Sequence, residues 1–392
     1  MKAMSDKTQN KQNSPNFFTK MDLKPVINGQ SWVTRLGGSI MPPAVLQSMA
    51  DASSIFVDIV ELNKKAGEII ARHTTAEAGI VTAGCSSAQL LQAAACITGC
   101  DANLIGKLPN TRGLSRNIVI QKSHENHYDT SYKFAGAKLV SIGSRKFGAT
   151  IDQLIQSITS ETVAIAFIWH LRFHGLSFEE VVEVAHSKNI PVIVDAAAEL
   201  PPVDNLSKII AKGADMVAFS GGKGIQGPQG TGILAGKKHL IDAAMANMLS
   251  FDEPKANIGR PMKVTKEEII GLLTALEIFV DTDHDTVWAK WNEKSTTIVK
   301  AAENFIGIEG QVVVAPDRQG PVAVFNFTPS WDGPTVKNLL QELRDGDPSI
   351  WLQGNEEARE IAVVPVNIQD GEEVTISIAL KKIFHKYGTY RS

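Results

Sequence analysis

The chain has 392 residues, 43% hydrophobic and 21% charged, with a formal net charge of -3. That is enough apolar material for one large core and a smaller one, and acids and bases are interspersed, so no basic face points to nucleic acid or an anionic membrane surface as a partner. Three cysteines, Cys85, Cys96 and Cys100, without a Cys-x-x-Cys pair exclude a disulfide framework and a zinc knuckle and suit a reducing cytoplasm. No apolar run approaches the roughly 20 residues of a membrane span.

The first 18 residues are polar and read as a frayed arm rather than a secretory leader. The arm is expected to extend over 1–40, with residues 24–40 running beside the active site. "GIVTAG" (79–84) predicts a strand and turn, and "SSAQLLQAAACITG" (86–99) a helix closed at Gly99. "NIVIQK" (117–122), "KLVSIG" (138–143) and "TVAIAFIW" (162–169) predict strands too uniformly apolar to be half exposed. A helical pattern leads to "VIVD" (192–195) and a second to "MVAFS" (216–220). Strands buried on both faces and joined by helices imply an α/β large domain over 41–265 with a mostly parallel sheet. Beyond 264 a long, broken helical stretch precedes strand-like runs and a closing helix. These predict a smaller α+β C-terminal domain over 266–392.

"VAFSGGKGIQGPQGTGIL" (217–234) places six glycines around Lys223. Gly222, Gly224 and Gly227 satisfy G-x-G-x-x-G, but Pro228 forbids the helix that a dinucleotide site requires, and "GILAG" resumes as a strand. A Walker loop is excluded because Gly224 stands where its hydroxyl should be. The remaining reading makes Lys223 a Schiff-base lysine for pyridoxal 5'-phosphate, which needs an acid at the ring nitrogen, an anion cradle and a surface against the ring. Asp195, at the end of "VIVD", supplies the acid; an aspartate there also serves as an ordinary cap or turn residue. Gly84, Cys85, Ser86 and Ser87 turn into a helix whose free N–H groups suit a phosphate, although such turns are commonly plain capping. Ser220 adds a hydroxyl. His124 follows the strand 117–122 at the same edge, where an imidazole stacks on the ring in this reading. Their order on the strand ends of one sheet joins them into one site.

"VIVDAAAELPP" with "GADMVAFSGGKGIQGPQGTGIL", "PVINGQSWVTRLGGSIMPP" (25–43), "TAEAGIVTAGCSSAQLLQAAACITGCD" (75–101) and "IGRPMKVTKEEIIGLLTALE" (258–277) resembles the selenocysteine-synthase-like group of fold-type I pyridoxal-phosphate enzymes, which includes D-glucosaminate-6-phosphate ammonia lyase. The resemblance covers most of the chain except its C-terminal domain. It implies Lys223 as the cofactor-bearing lysine, Asp195 at the pyridine nitrogen, Ser220 and the turn 84–87 at the phosphate, and His124 near the ring. It also implies a homodimer or larger assembly with active sites at the interface. Selenium transferases look longer at the N-terminus, carrying a small tRNA-contacting domain, so a tRNA substrate is not expected. The turn "GCSS" departs from the alanine-rich turn of relatives and puts a thiol and a second hydroxyl near the cofactor.

The cofactor permits several outcomes for a small-molecule amino acid substrate. Removal of the Cα proton with loss of a β-hydroxyl gives ammonia and a keto acid, the expected lyase (dehydratase) reaction on a hydroxy-amino acid or amino sugar acid; aldol cleavage and racemisation start from the same deprotonation. The reading from another class is a non-catalytic pyridoxal-binding protein. Arg35, Arg172 and Arg260 are the candidates for a substrate carboxylate or phosphate, because a guanidinium fork matches those anions. A metal site from His170 and His174, or from His124 and His127, lacks carboxylates at matching spacing, and none is expected.

Overall fold

The structure, a computed structural model, describes residues 17–249, 256–315 and 318–390; the first part of the expected arm lies outside them. It contains two compact units. The larger runs from Trp32 to Val287, and the smaller joins the segment up to Ser31 with Trp288 onward. The expected division at 265/266 thus falls inside the larger unit.

In the larger unit a seven-stranded sheet is built from Ala78–Thr82 (β2), Asn117–Gln121 (β3), Lys138–Ile142 (β4), Thr162–Ile168 (β5), Val192–Asp195 (β6), Met216–Ser220 (β7) and Gly232–Gly236 (β8), in the order β2-β8-β7-β6-β5-β3-β4. All neighbours are parallel except β8, which runs antiparallel to both β7 and β2. Successive side chains of a strand point to opposite faces, and both faces here are apolar. Val119, Phe167, Val194 and Phe219 enter one core, while Ile120, Ala166, Ile193 and Ala218 enter the other. Burial on both sides is why these strands read as unbroken apolar runs.

Helices Ile59–Thr74, Phe178–Ser187 and Lys266–Asp281 cover the first face; Cys85–Thr98 and Lys238–Met248 cover the second. Thr265 and Glu268 form a reciprocal cap that starts Lys266–Asp281, and Ser177 and Glu180 do the same for Phe178–Ser187. The long helical stretch after 264 is two helices, Lys266–Asp281 and His284–Val299, interrupted at Thr282 and Asp283.

The smaller unit is an α+β sheet in which Val26–Gly29 (β1) pairs in parallel with Ser349–Asn355. That strand continues antiparallel to Glu360–Val363, then to Val322–Phe327 and Ile308–Val313. "VING" is therefore a sheet strand with Ile27 in the core, and only the chain after it joins the larger unit.

Candidate active site

Parallel strands deliver their carboxyl ends to one edge, and a cavity of about 590 Å³ opens there. Across the sheet its walls come from Gly84, Cys85 and Ser86 after β2, Ser220 and Lys223 at β7, and Asp195 with Glu199 at β6. His170 and Leu171 follow from β5, and Ser123, Glu125 and Asn126 from β3. Thr34, Gln89, Tyr128, Arg145 and Gln229 also line it.

The lysine loop is a hairpin between β7 and β8. Gly221 N–H donates to Thr231 O (2.9 Å), Gly227 N–H to Gly221 O (2.8 Å) and Gln226 N–H to Lys223 O (2.9 Å). No helix begins within it, in line with the exclusion of both nucleotide loops. Ser39 Oγ donates to Gly222 O (3.1 Å) and Gln229 Nε2 to Thr34 O (3.0 Å), so the segment 34–39 closes against the loop, as expected for chain running beside the site.

Asp195, only 7% exposed, forms the floor. Its Oδ1 accepts from Ala197 N–H (2.9 Å) and its Oδ2 from Gln89 Nε2 (2.7 Å), while Cys85 Sγ lies 3.6 Å from Oδ1. Burial pushes this carboxyl above the usual range, opposed by the Ala197 N–H and the Lys223 ammonium. Such a carboxylate is suited to a cationic partner in the cavity above it.

The cradle is the N-terminus of the helix Cys85–Thr98. The first amides of a helix have no intrahelical acceptor, and they add to the positive end of the helix dipole. Gly84 adopts φ +84°, a left-handed conformation that only glycine takes cheaply, with open space where a Cβ would stand. Opposite it a Cβ on Gly232 would come within 2.8 Å of Cys85 N, so glycine there lets β8 pass beneath the turn. Ser86 is exposed to the cavity, whereas Ser87 is buried and gives its hydroxyl to Ala83 O (2.7 Å). Ser87 contributes its place in the turn, not a hydroxyl.

An amine, a buried carboxylate and an amide-lined anion cradle are the donor set that pyridoxal phosphate requires, and here they share one cavity.

Cys85 does not present a reactive thiol. Burial, reinforced by the Asp195 charge, raises it well above the usual thiol range, and burial pushes Cys96 up to about 12. At pH 8 an alkylating reagent should therefore label the exposed Cys100 first and the half-buried Cys96 more slowly, and reach Cys85 only on unfolding. Peptide mass spectrometry reads this directly; native Cys85 labelling as fast as Cys100 would contradict it.

His124 is the main correction among the expected residues. It is fully buried and does not line the cavity. Its Nδ1 accepts from Ile168 N–H (3.2 Å), which leaves Nε2 to donate to His174 O (3.1 Å), and its ring meets Phe167 edge-to-face with centroids 4.6 Å apart. The short helix Lys122–His124 turns it into the core and presents Ser123 and Glu125 instead. His124 thus ties the end of β5 to the loop behind it.

Burial lowers His124 to about 4, against about 6.5 in an unfolded chain. A depressed histidine contributes stability that is present above the unfolded value and lost as pH falls through the folded one. Stability should drop by up to about 3 kcal/mol between pH 6.5 and 4 from this residue alone. Urea midpoints across that range should fall less steeply in His124→Gln; equal slopes would contradict the assignment.

The arginines also differ from expectation. Arg172 Nη1 is held by Glu199 Oε2 (3.1 Å) and Trp169 O (2.8 Å), with the guanidinium 4.4 Å from the Phe173 ring centroid. Arg35 is exposed beside the wall residue Thr34, and Arg260 is exposed on the turn Arg260–Met262. None of the three lines the cavity, but Arg145 does, 3.6 Å from Glu125. No motif marks Arg145. Gln89 did carry a signal: it is a polar residue one helical turn beyond Cys85 in an otherwise alanine-rich, buried helix.

Among the described residues no group of three or more His, Cys, Asp or Glu could hold a metal ion. Among the described residues, too, no helix is long and apolar enough to cross a membrane.

The aminotransferase class-V profile matches residues 117–346, which carry β3 to β8 and the whole lysine loop. The chain belongs to the aminotransferase class-V family. It is a pyridoxal-phosphate-dependent enzyme of fold type I, as the resemblance implied. It is 30% identical to D-glucosaminate-6-phosphate ammonia lyase of Salmonella typhimurium, over 94% of this chain and 98% of that protein. A solved structure of a D-glucosaminate-6-phosphate ammonia lyase superposes with a TM-score of 0.82 at 28% identity, covering 95% of this chain and 99% of the other. It is also 28% identical to a 5'-C-glycyluridine monooxygenase-decarboxylase from a Streptomyces species, over 86% of this chain and 84% of that one.

Proposed function

We propose that this enzyme is an ammonia lyase that removes the Cα proton and the β-hydroxyl of a small hydroxy-amino acid or amino sugar acid, releasing ammonia and a keto acid. The observation that carries the reading is the opening of Lys223, Asp195 and the amide-rich turn 84–86 onto one cavity, in a chain similar to an ammonia lyase along nearly its whole length.

Bound pyridoxal phosphate supplies a conjugated ring that takes up the electron pair left at Cα. The chain's own residues do the rest. Lys223 would hold the cofactor, and its Nζ would remove the Cα proton of the substrate. Asp195, fixed by Ala197 N–H and Gln89, keeps a negative charge for the ring nitrogen. The amides of Cys85 to Ser87 and the hydroxyls of Ser86 and Ser220 would hold the phosphate. Arg145, which lines the cavity, is placed for a substrate carboxylate or phosphate.

The same reading makes the protein a cytoplasmic homodimer or larger assembly with sites at the interface, without nucleic-acid or membrane partners. Ile40, Leu46, Ile55 and Phe56 are exposed apolar side chains available to such self-association.

The test is a panel of D- and L-β-hydroxy-α-amino acids and amino sugar acids, with and without a terminal phosphate, assayed for ammonia, keto acid, aldehyde and oxygen uptake. Ammonia and keto acid in equal amounts without oxygen uptake support the lyase. Aldehyde with glycine would make it an aldolase, inversion without net product a racemase, and oxygen consumption with carbon dioxide release a monooxygenase-decarboxylase. No change in cofactor absorption with any substrate would leave only a binding protein.

A further inference from the structure

Hydroxide is a poor leaving group, so an enzyme that expels a β-hydroxyl needs an acid at that oxygen as well as a base at Cα. Resting on the lyase reading, we propose that His170 is that acid, with Glu199 and Arg172 as its positioning residues.

β5 lies two places from β7 in the sheet, so the turn Trp169–Leu171 sits on the order of 10 Å from the Lys223 strand end, with Asp195 between them. His170 therefore lines the same cavity from the side opposite the anion cradle. Its Nδ1 is 3.6 Å from Glu199 Oε1. Glu199 is nearly buried and is itself held on the other oxygen by Arg172 (3.1 Å), while its backbone carbonyl accepts from Asn205 Nδ2 (2.7 Å). With Glu199 at Nδ1, Nε2 is the nitrogen that would give its proton to the leaving oxygen. Among the described residues, the other charged groups lining this cavity are Glu125, Arg145, Asp195 and Lys223.

The step balances without an oxidant. Lys223 Nζ takes the Cα proton, the Cα–H electron pair becomes the π bond of a Cα=Cβ double bond, and the Cβ–O bond breaks with its pair going to oxygen. The oxygen takes the Nε2 proton and leaves as water, and His170 is reprotonated from solvent. Arg172, expected from the sequence to meet substrate, acts instead through Glu199.

A leaving group that needs no proton separates this role from a structural one. His170→Gln should lower turnover of the best hydroxy-amino acid by about 100-fold, and lower turnover of its β-chloro counterpart far less, because chloride departs unprotonated. Equal losses with both substrates, or no loss with either, overturn the proposal. A wild type inactive toward both substrates instead removes the lyase reading, and this inference with it. A second readout needs no cofactor: followed by imidazole NMR in the cofactor-free protein, the His170 ring should titrate at lower pH in Glu199→Gln than in the wild type. An unchanged midpoint would remove Glu199 from the account.

Discussion

Lys223→Ala should release ammonia and keto acid at least about 10⁴-fold more slowly than the wild type. The protein should nevertheless fold normally. The Lys223 side chain is half-buried, and the loop is held by backbone bonds, among them Gln226 N–H to Lys223 O and Gly221 N–H to Thr231 O, that survive its truncation. Removing an ammonium near Asp195 takes away one of the influences that lower that carboxyl, so the variant should hold Asp195 further toward its neutral form. Added methylamine should restore part of the activity by supplying the missing base. Circular dichroism and urea unfolding check the fold; retained turnover would remove the lysine from the mechanism.

Asp195→Asn should lower kcat by about 10²- to 10³-fold while leaving the site able to bind cofactor. The amide has nearly the size of the carboxylate and keeps an oxygen for the Ala197 N–H or the Gln89 amide, but it must set an NH2 group against the other donor. It also carries no charge with which to hold a proton on the ring nitrogen. The expected signature is therefore a fall in kcat larger than the loss of cofactor affinity. A variant as active as the wild type would show that the charge at this position does no catalytic work.

The sheet was legible because both of its faces are buried. Strands such as "VIVD" and "MVAFS" are continuous apolar runs, and Asp195 and Ser220 stand out as the first polar residues at their ends. The lysine loop was legible because Pro228 and the glycines allow only a hairpin. Side-chain direction just past a strand was not. Ser123, His124 and Glu125 are adjacent in sequence, and the turn of the helix Lys122–His124 decides which of them meet solvent and which the core. Arg145 lay out of reach for a different reason. It sits in the loop after β4, shaped by the bridge between Ser144 and Gly148, and only the folded chain brings it beside Glu125. Pairing of Val26–Gly29 with Ser349–Asn355 joins segments more than 300 residues apart, which no local pattern encodes.

The central claim is that the cofactor is carried on Lys223. Reducing the cofactor-loaded protein with borohydride, digesting it and locating the pyridoxyl group by mass spectrometry tests this directly. The account predicts the group on the peptide containing Lys223 and nowhere else. A pyridoxyl group on another lysine, or none on a protein saturated with the cofactor, would contradict it.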